Sequence, residues 1–183
     1  MKRQLLQFIV LCTLPISALS TVMGSKEFSF GVISYPQQNS ADESALRDAI
    51  DETDADNLAF VVANGIKAAG EPCTDWLYNQ RKALLQTAKN GIIVSPSAAD
   101  WAECKSDNGK TSAVGKLNRL RELFFTDEFS FGSTRIPVIR QSANAKFRSY
   151  AENARWEIGN TMFATINLPA NNNHYVSDAG RNS

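Results

Sequence analysis

Residues 58–65 read Leu-Ala-Phe-Val-Val-Ala-Asn-Gly, which is six apolar residues in a row followed by two turn formers. A continuous apolar run of this length is typical of a strand that is covered on both faces. Strands of this kind occur mainly in parallel sheets, because other layers exclude water from both sides of such sheets. The stretch therefore predicts a central strand in a layered α/β fold.

Strand and helix patterns alternate on either side of this stretch. Residues 28–34 first alternate and then become apolar, and residues 92–94 form another short apolar run, so both predict strands. A capping box that begins at Ser40 and an apolar stripe that begins near Thr74 predict the two helices between these strands. The order β-α-β-α-β predicts an α/β fold with a helix-flanked, mainly parallel sheet.

Binding sites in such sheets form beyond the carboxyl ends of the strands. A last strand is predicted over residues 161–168, which Pro169 ends. The loops in which we expect a site are therefore Ser34–Gln37, Asn64–Lys67, Ser95–Trp101 and Pro169–His174. We expect all four to open on one edge of the sheet.

Composition narrows the classes of function that the chain can have. The 183 residues suit one domain, and 43% apolar with 21% charged residues is an ordinary soluble globular mixture. The 19 basic and 19 acidic residues balance, which argues against general nucleic-acid binding. A single His excludes a multi-histidine metal site within one chain.

Residues 1–20 have the pattern of a bacterial signal peptide. A basic start precedes a mostly apolar run over residues 5–19, and Ala18-Leu19-Ser20 supplies small residues for cleavage after Ser20. The apolar run is too short for a membrane span, and Pro15 interrupts it. We expect an exported protein, periplasmic or secreted, that has no membrane contact after cleavage and whose folded domain begins at residue 21.

Cleavage would remove Cys12 and leave Cys73 and Cys104. Two cysteines in an exported chain predict one structural disulfide, because the compartment is oxidising. The alternative is two separate buried thiols, which such a compartment disfavours. In either case no cysteine is left for catalysis.

Several stretches together point to a family. Residues 60–67 are followed by Glu-Pro-Cys-Thr-Asp at 71–75, and Ile93-Val94 is followed by Asp-Trp-Ala-Glu-Cys at 100–104. These stretches resemble the second and third motifs of the calcineurin-like metallophosphoesterases, especially an exported bacterial branch. The resemblance covers nearly all of the mature chain and includes residues 117–125, 152–156 and 165–173. It implies that residues 21–183 form the first half of a two-sheet sandwich, without the C-terminal part of that domain.

The reaction of that family uses two divalent metal ions, for which Mn, Fe or Zn would serve here only if the activity were retained. Most positions of this chain that match the family's metal ligands carry side chains that cannot bind a metal ion. Tyr35 stands where the family has its first metal-binding Asp, Ile66 follows Gly65 where the bridging Asp is expected, and Ala99 matches a metal-binding Asn. The later histidines of the family lie beyond the end of this sequence. Only Asp100 keeps an acid, and we expect it to cap the helix or turn that begins near Trp101.

No catalytic residue, metal ligand or cofactor is therefore assigned. We expect His174 to be a surface-loop histidine, since it has no Cys or Ser partner at a spacing that suggests a nucleophile–base pair. The positions that would line the edge of a site are Tyr35, Gln37, Asn64, Asp100, Asn172 and His174.

The segment from Arg135 to Arg155 contains five basic residues and one acidic residue. It could form a contact surface for an anionic or phosphate-bearing ligand. The alternative, which we favour, is solvated charge that pairs with the acidic predicted helix around residues 42–56.

Three hypotheses for function remain. The first is a non-catalytic or decayed relative of the metallophosphoesterases that binds a ligand or partner through the scaffold. The second is a metal-dependent phosphoester hydrolase with a substituted ligand set, and the third is a gene fragment without independent function. The missing carboxylates favour the first over the second. The sequence does not identify the ligand or the partner.

Overall fold

The computed structural model describes residues 27–34, 43–104 and 113–168. The predictions made for Tyr35, Gln37, Asn172 and His174, and for the signal peptide at residues 1–20, lie outside these ranges. Within them, no helix is long and apolar enough to cross a membrane.

The described elements follow one another in the α/β order that the sequence predicts. They are β1 Gly31–Ser34, α1 Glu43–Asp54, β2 Val61–Asn64, α2 Asp75–Thr87, β3 Ile92–Ser95, α3 Ala98–Trp101, α4 Ala113–Phe124, β4 Ile139–Arg140, β5 Ala154–Ile158 and β6 Thr161–Thr165, with short 3-10 turns at Gln141–Ala143 and Ala145–Phe147.

The first three strands form a parallel sheet in the order β1-β2-β3, with β2 in the centre. Alternate residues of each strand point to opposite faces of the sheet. Val61 and Ala63 of β2 point to the face on which all four helices pack, and this face forms the larger core of the protein. The helix-flanked parallel sheet predicted from the apolar run is confirmed.

The opposite face of this sheet is covered by a second sheet, which is antiparallel and has the order β4-β5-β6. Phe60 lies at the centre of the interface, with its ring centroid 5.2 Å from Trp156 and 4.7 Å from Phe163. Ile93 and Val138 complete this smaller apolar cluster. The residues around β2 are therefore buried from both sides, as the continuous apolar run requires.

The last predicted strand, residues 161–168, is shorter than expected and lies in the antiparallel sheet. Ile158 pairs with Thr161, so only Gly159 and Asn160 connect β5 to β6. Gly159 has φ +58°, the left-handed conformation that a two-residue hairpin requires. This turn directs β6 back along β5, so β6 does not join the parallel strands.

The predicted disulfide between Cys73 and Cys104 is present, with 5.9 Å between the two Cα atoms. It joins the segment before α2 to the residues that follow α3. Because the two cysteines are 31 positions apart in the sequence, the bond restricts a large part of the unfolded chain. Cys104 is buried beside Tyr78, so the bond lies at the margin of the larger core.

We predict that replacing both cysteines by Ala lowers the free energy of unfolding by about 3–4 kcal/mol, as the chain-entropy model gives for a loop of this length. Urea denaturation of the exported protein and of the double variant measures this difference. Reduction with a thiol reagent should destabilise the parent protein and leave the double variant unchanged. Two titratable thiols per chain in the unreduced protein would contradict the prediction.

Candidate functional site

The carboxyl ends of the three parallel strands meet at one edge of the sheet, because Ser34 lies in register with Asn64 and Asn64 with Ser95. The loops that follow Asn64 and Ser95 are neighbours there, as predicted. Asn64 itself is exposed at the end of β2. Of the other two predicted loops, Ser34–Gln37 continues into residues that the structure does not describe, and Pro169–His174 lies wholly outside the described ranges. The strand before Pro169, β6, belongs to the antiparallel sheet, so the expectation that all four loops follow strands of one parallel sheet is wrong.

Asp100 lies between these two loops and is fully buried. Its Oδ1 accepts hydrogen bonds from the backbone N–H groups of Ile66 at 3.0 Å and Lys67 at 3.1 Å. Its Oδ2 accepts from the backbone N–H of Ser97 at 2.7 Å, at the start of α3. The helix predicted to begin near Trp101 instead begins at Ala98 and ends at Trp101, so Asp100 lies inside it. Its carboxylate accepts from the N-cap residue Ser97 as the acidic partner of a capping box, and it also holds the loop after β2.

Gly65 allows the loop after β2 to reach this carboxylate. Its φ of +90° turns the chain sharply, so that the next two N–H groups both point at Asp100. A Cβ atom at this position would lie 2.9 Å from the Oγ of Ser97. A larger residue would therefore be both strained and crowded.

A second buried polar cluster stabilises the remainder of this loop. The Nζ of Lys67 donates to the carbonyl oxygen of Ala68 at 2.8 Å, and the N–H of Ala68 donates to Glu71. Glu71 in turn forms an ion pair with the buried Arg81 of α2. Burial lowers the pKa of Lys67, and the nearby carboxylates of Asp100, Glu71 and Glu103 oppose this shift.

Our sequence analysis did not assign this cluster, although one signal was available. Arg81 occupies a position on the buried stripe of α2, where the neighbouring positions are apolar: Leu77, Tyr78, Leu84 and Leu85. An Arg at such a position requires a carboxylate partner, because an unpaired buried charge is costly. The sequence could not show that Glu71 is that partner.

Burial also raises the pKa of Asp100 to about 6, against the opposing effect of its three N–H donors and of Lys67. The hydroxyl of Tyr78 donates to the backbone oxygen of Asp100 at 2.8 Å. Burial is also the main cause of a raised pKa at Tyr78. The side chains of Asp100 and Tyr78 therefore both belong to the buried core.

The arrangement at this edge offers little to a metal ion. Ile66 contributes a buried apolar side chain, and the oxygens of Asp100 already accept three backbone hydrogen bonds. Across residues 27–34, 43–104 and 113–168, no three His, Cys, Asp or Glu side chains lie together as a metal site would require.

A groove of about 810 Å³ lies along the second sheet and the 3-10 turns. Glu152 is buried there, and both of its oxygens accept from Arg121 at 2.7 Å, so its charge is balanced. Arg140 and Arg155 also line the groove. The apolar side chains of the lining include those of Ile139, Phe147, Tyr150, Ile166 and Leu168.

The expected pairing of the basic segment with the acidic α1 is wrong. Arg135 instead forms an ion pair with Asp127 at 2.7 Å. The guanidinium group of Arg140 lies over the ring of Phe125, and its Nε donates to the backbone oxygen of Asp127 at 2.8 Å. The reason is topological: α1 packs on one face of the parallel sheet, whereas the basic segment belongs to the layer on the other face.

We predict that Asp100→Asn lowers the free energy of unfolding by about 1–3 kcal/mol, the cost of leaving a buried donor unsatisfied. The amide oxygen can replace one carboxylate oxygen, but the amide nitrogen cannot accept the remaining N–H. Urea denaturation measures the effect, and the exposed Asp48→Asn in α1 is the matched control. Equal stability of the two variants would contradict the role of Asp100.

The raised pKa of Asp100 predicts a pH dependence of stability. The folded protein holds this proton up to about pH 6, whereas the unfolded chain releases it near the ordinary value of 3.8. The stability from the protonated group is thus fully present below the unfolded pKa and is lost as the pH rises through the folded pKa. Unfolding free energies measured between these values should fall more steeply with pH for the parent than for Asp100→Asn. If the unfolding free energies of the two proteins fell with pH at the same rate, the predicted contribution of Asp100 would be contradicted.

Comparison of the chain with protein-family models, with curated proteins and with solved structures gave no match. The sequence resemblance and the contacts at the sheet edge are therefore the basis on which a function can be proposed.

Proposed function

We propose that this chain is an exported metallophosphoesterase-like protein that binds a ligand or partner and does not hydrolyse phosphoesters. The motifs around residues 60–67 and 100–104 support the family resemblance. The helix-flanked parallel sheet is compatible with that resemblance, whereas a second sheet was not expected in a chain that would hold only the first half of the sandwich. The disulfide fits an exported protein.

The position of Asp100 carries the proposal. A metal ligand needs carboxylate oxygens that face a space which the ion can occupy. The oxygens of Asp100 face the backbone N–H groups of Ile66, Lys67 and Ser97, and the residue has no exposed surface. Releasing this carboxylate for a metal would leave three backbone donors without a partner, at a cost of about 1–3 kcal/mol each.

The groove at the second sheet is the place where we propose that binding occurs. Its apolar side chains suit the apolar part of a ligand, and Arg140 and Arg155 would attract an anionic or phosphate-bearing end. Glu152 does not oppose this attraction, because Arg121 balances its charge. A pocket with an apolar lining and few charged groups is the usual form of a small-ligand site.

Metal content and turnover test the proposal against the substituted hydrolase. The exported protein is incubated with Mn, Fe or Zn, desalted, and assayed for metal per chain and for hydrolysis of a bis-nitrophenyl phosphodiester. We expect less than one bound metal ion per chain and no hydrolysis of the phosphodiester. The control variant Asp48→Asn should give the same result as the parent. Two tightly bound metal ions per chain together with turnover would establish the hydrolase instead.

The gene-fragment alternative makes a different prediction. A fragment without independent function should aggregate and unfold without a cooperative transition, because it would expose apolar surface that has no complement. A soluble protein that unfolds cooperatively in urea would count against this alternative.

A further inference from the structure

The floor of the groove is the outer face of the antiparallel sheet. Ile139, Arg155 and Ala164 lie side by side there, because β4, β5 and β6 are paired in that register. Alternate residues of a strand point to opposite faces, and Ala154 and Trp156 are accordingly buried in the smaller apolar cluster on the inner face. Arg155 therefore lies on the floor of the groove between two apolar residues.

The wall of the groove is formed by the 3-10 turns, which are held by their own hydrogen bonds. The side chain of Asn144 accepts from the N–H of Lys146 at 2.9 Å, and its backbone carbonyl accepts from the N–H of Phe147 at 2.9 Å. The N–H of Tyr150 donates to the carbonyl of Phe147 at 3.0 Å, and the centroids of these two rings are 6.4 Å apart. Both aromatic residues line the groove, so its apolar wall is pre-formed.

The amide side chains at one end of the groove bond to other groups of the protein. The Nδ2 of Asn153 donates to the Oε1 of Gln141 at 2.8 Å, and its Oδ1 accepts from the N–H of Asn167 at 2.8 Å. A ligand with many hydroxyl groups, such as a sugar, needs free donors and acceptors in its site. The floor instead offers apolar contact, since Ile139 is 55% exposed and Ile166 is 62% exposed.

Arg155 lacks an acidic partner in the described part of the chain. None of the ion pairs formed by residues 27–34, 43–104 and 113–168 includes it. Glu157 follows on the same face of β5 without pairing with it, and Glu152 is bound to Arg121. A guanidinium group between apolar side chains and without a carboxylate is a group that an anionic ligand can pair with.

Arg140 also borders the groove, but its side chain points to the inner face. It is in register with Ala154, which is buried there. Its Nε and one Nη donate to the backbone oxygens of Asp127 and Ala151, at 2.8 and 3.3 Å. Arg140 therefore adds to the positive potential of the groove, and Arg155 is the arginine that can contact a ligand on the floor.

The residues outside the described ranges are poorly matched to this groove. Residues 1–26, 35–42, 105–112 and 169–183 contain more basic than acidic residues: Lys2, Arg3, Lys26, Lys105, Lys110 and Arg181 against Asp42, Asp107 and Asp178. Residues 169–183 continue directly from the groove, but they contain one acidic and one basic residue and few large apolar residues. Charge and composition therefore favour a separate ligand.

We propose that the groove binds a small amphiphilic carboxylate, with an acyl chain along the apolar floor and the carboxylate on Arg155. The inference rests on the proposed function, because it names the ligand class of the same groove. The planar fork of a guanidinium group matches a carboxylate through two parallel hydrogen bonds.

Charge and shape distinguish this ligand from two others. One arginine on the floor balances the single charge of a carboxylate, whereas a phosphate monoester carries about 1.5 to 2 negative charges. The site is concave, and its volume of about 810 Å³ is within the range of small-molecule pockets. A concave site suits a small ligand better than it suits the surface of a membrane.

Isothermal titration calorimetry of the full exported chain with decanoate, below its micelle concentration, measures the binding. We expect one decanoate per chain and weaker binding at high ionic strength. Decanol has the chain without the charge and should bind roughly tenfold to a hundredfold more weakly, the effect of losing hydrogen bonds to a charged group. Acetate, which has the charge without the chain, should bind more weakly still, and decyl phosphate should not bind more tightly than decanoate.

Variants of the groove test the two halves of the ligand separately. Arg155→Met should weaken decanoate roughly tenfold to a hundredfold and leave decanol unchanged. Arg148→Met is its matched control, because Arg148 is an exposed basic residue of the same segment outside the groove lining. Ala164→Phe fills the floor and should weaken both probes, whereas Met162→Phe, on the same face of β6 outside the lining, should not. All four side chains are exposed, so the fold should persist, which far-UV circular dichroism checks.

Several outcomes would overturn the proposal. Equal affinity for decanoate and decanol, both weakened by Ala164→Phe, would reject the carboxylate and leave the groove as a binding site. No binding of decanoate, tighter binding of decyl phosphate, or equal binding of decanoate by the parent and Arg155→Met would also reject it. Binding of decanoate only after removal of residues 169–183 would identify that segment as the occupant. The metal and turnover assay decides the proposed function independently of these results.

Discussion

The burial of β2 from both sides is the constraint on which the rest of the structure depends. Val61 and Ala63 require an apolar layer on one face, and the helices supply it. Phe60 and Val62 require another layer on the other face, and the second sheet supplies it through Trp156 and Phe163. Because each layer covers a different set of residues from one short stretch, neither layer can be removed without exposing apolar surface.

The carboxyl edge of the parallel sheet uses its buried charges to hold the fold together. An acid at this edge can either face a ligand or satisfy the backbone donors of the neighbouring loops, and Asp100 does the second. The same is true of the neighbouring charged residues Lys67, Glu71 and Arg81. Each of them bonds to another group of the protein. The buried charges of this edge hold two loops together.

The edge strands on the two sides of the β-sandwich differ in whether other residues of the chain cover them. Residues 126–138 cover the β3 edge, while the β1 and β6 edges present uncharged apolar residues.

Local patterns predicted the central strand, the helix-flanked parallel sheet and the disulfide, but placed the start of the helix near Asp100 three residues too late. Each of these follows from residues close in sequence, or from the small number of cysteines. The sequence could not predict that β6 joins a separate sheet, that Arg81 pairs with Glu71, or that Arg135 pairs with Asp127 and not with α1. The amino-acid sequence by itself determined which strand is buried and which residues can cap and cross-link. Only the tertiary structure decided which groups meet across layers, because contacts such as Ile66 to Asp100 join residues 34 positions apart and depend on how the layers pack.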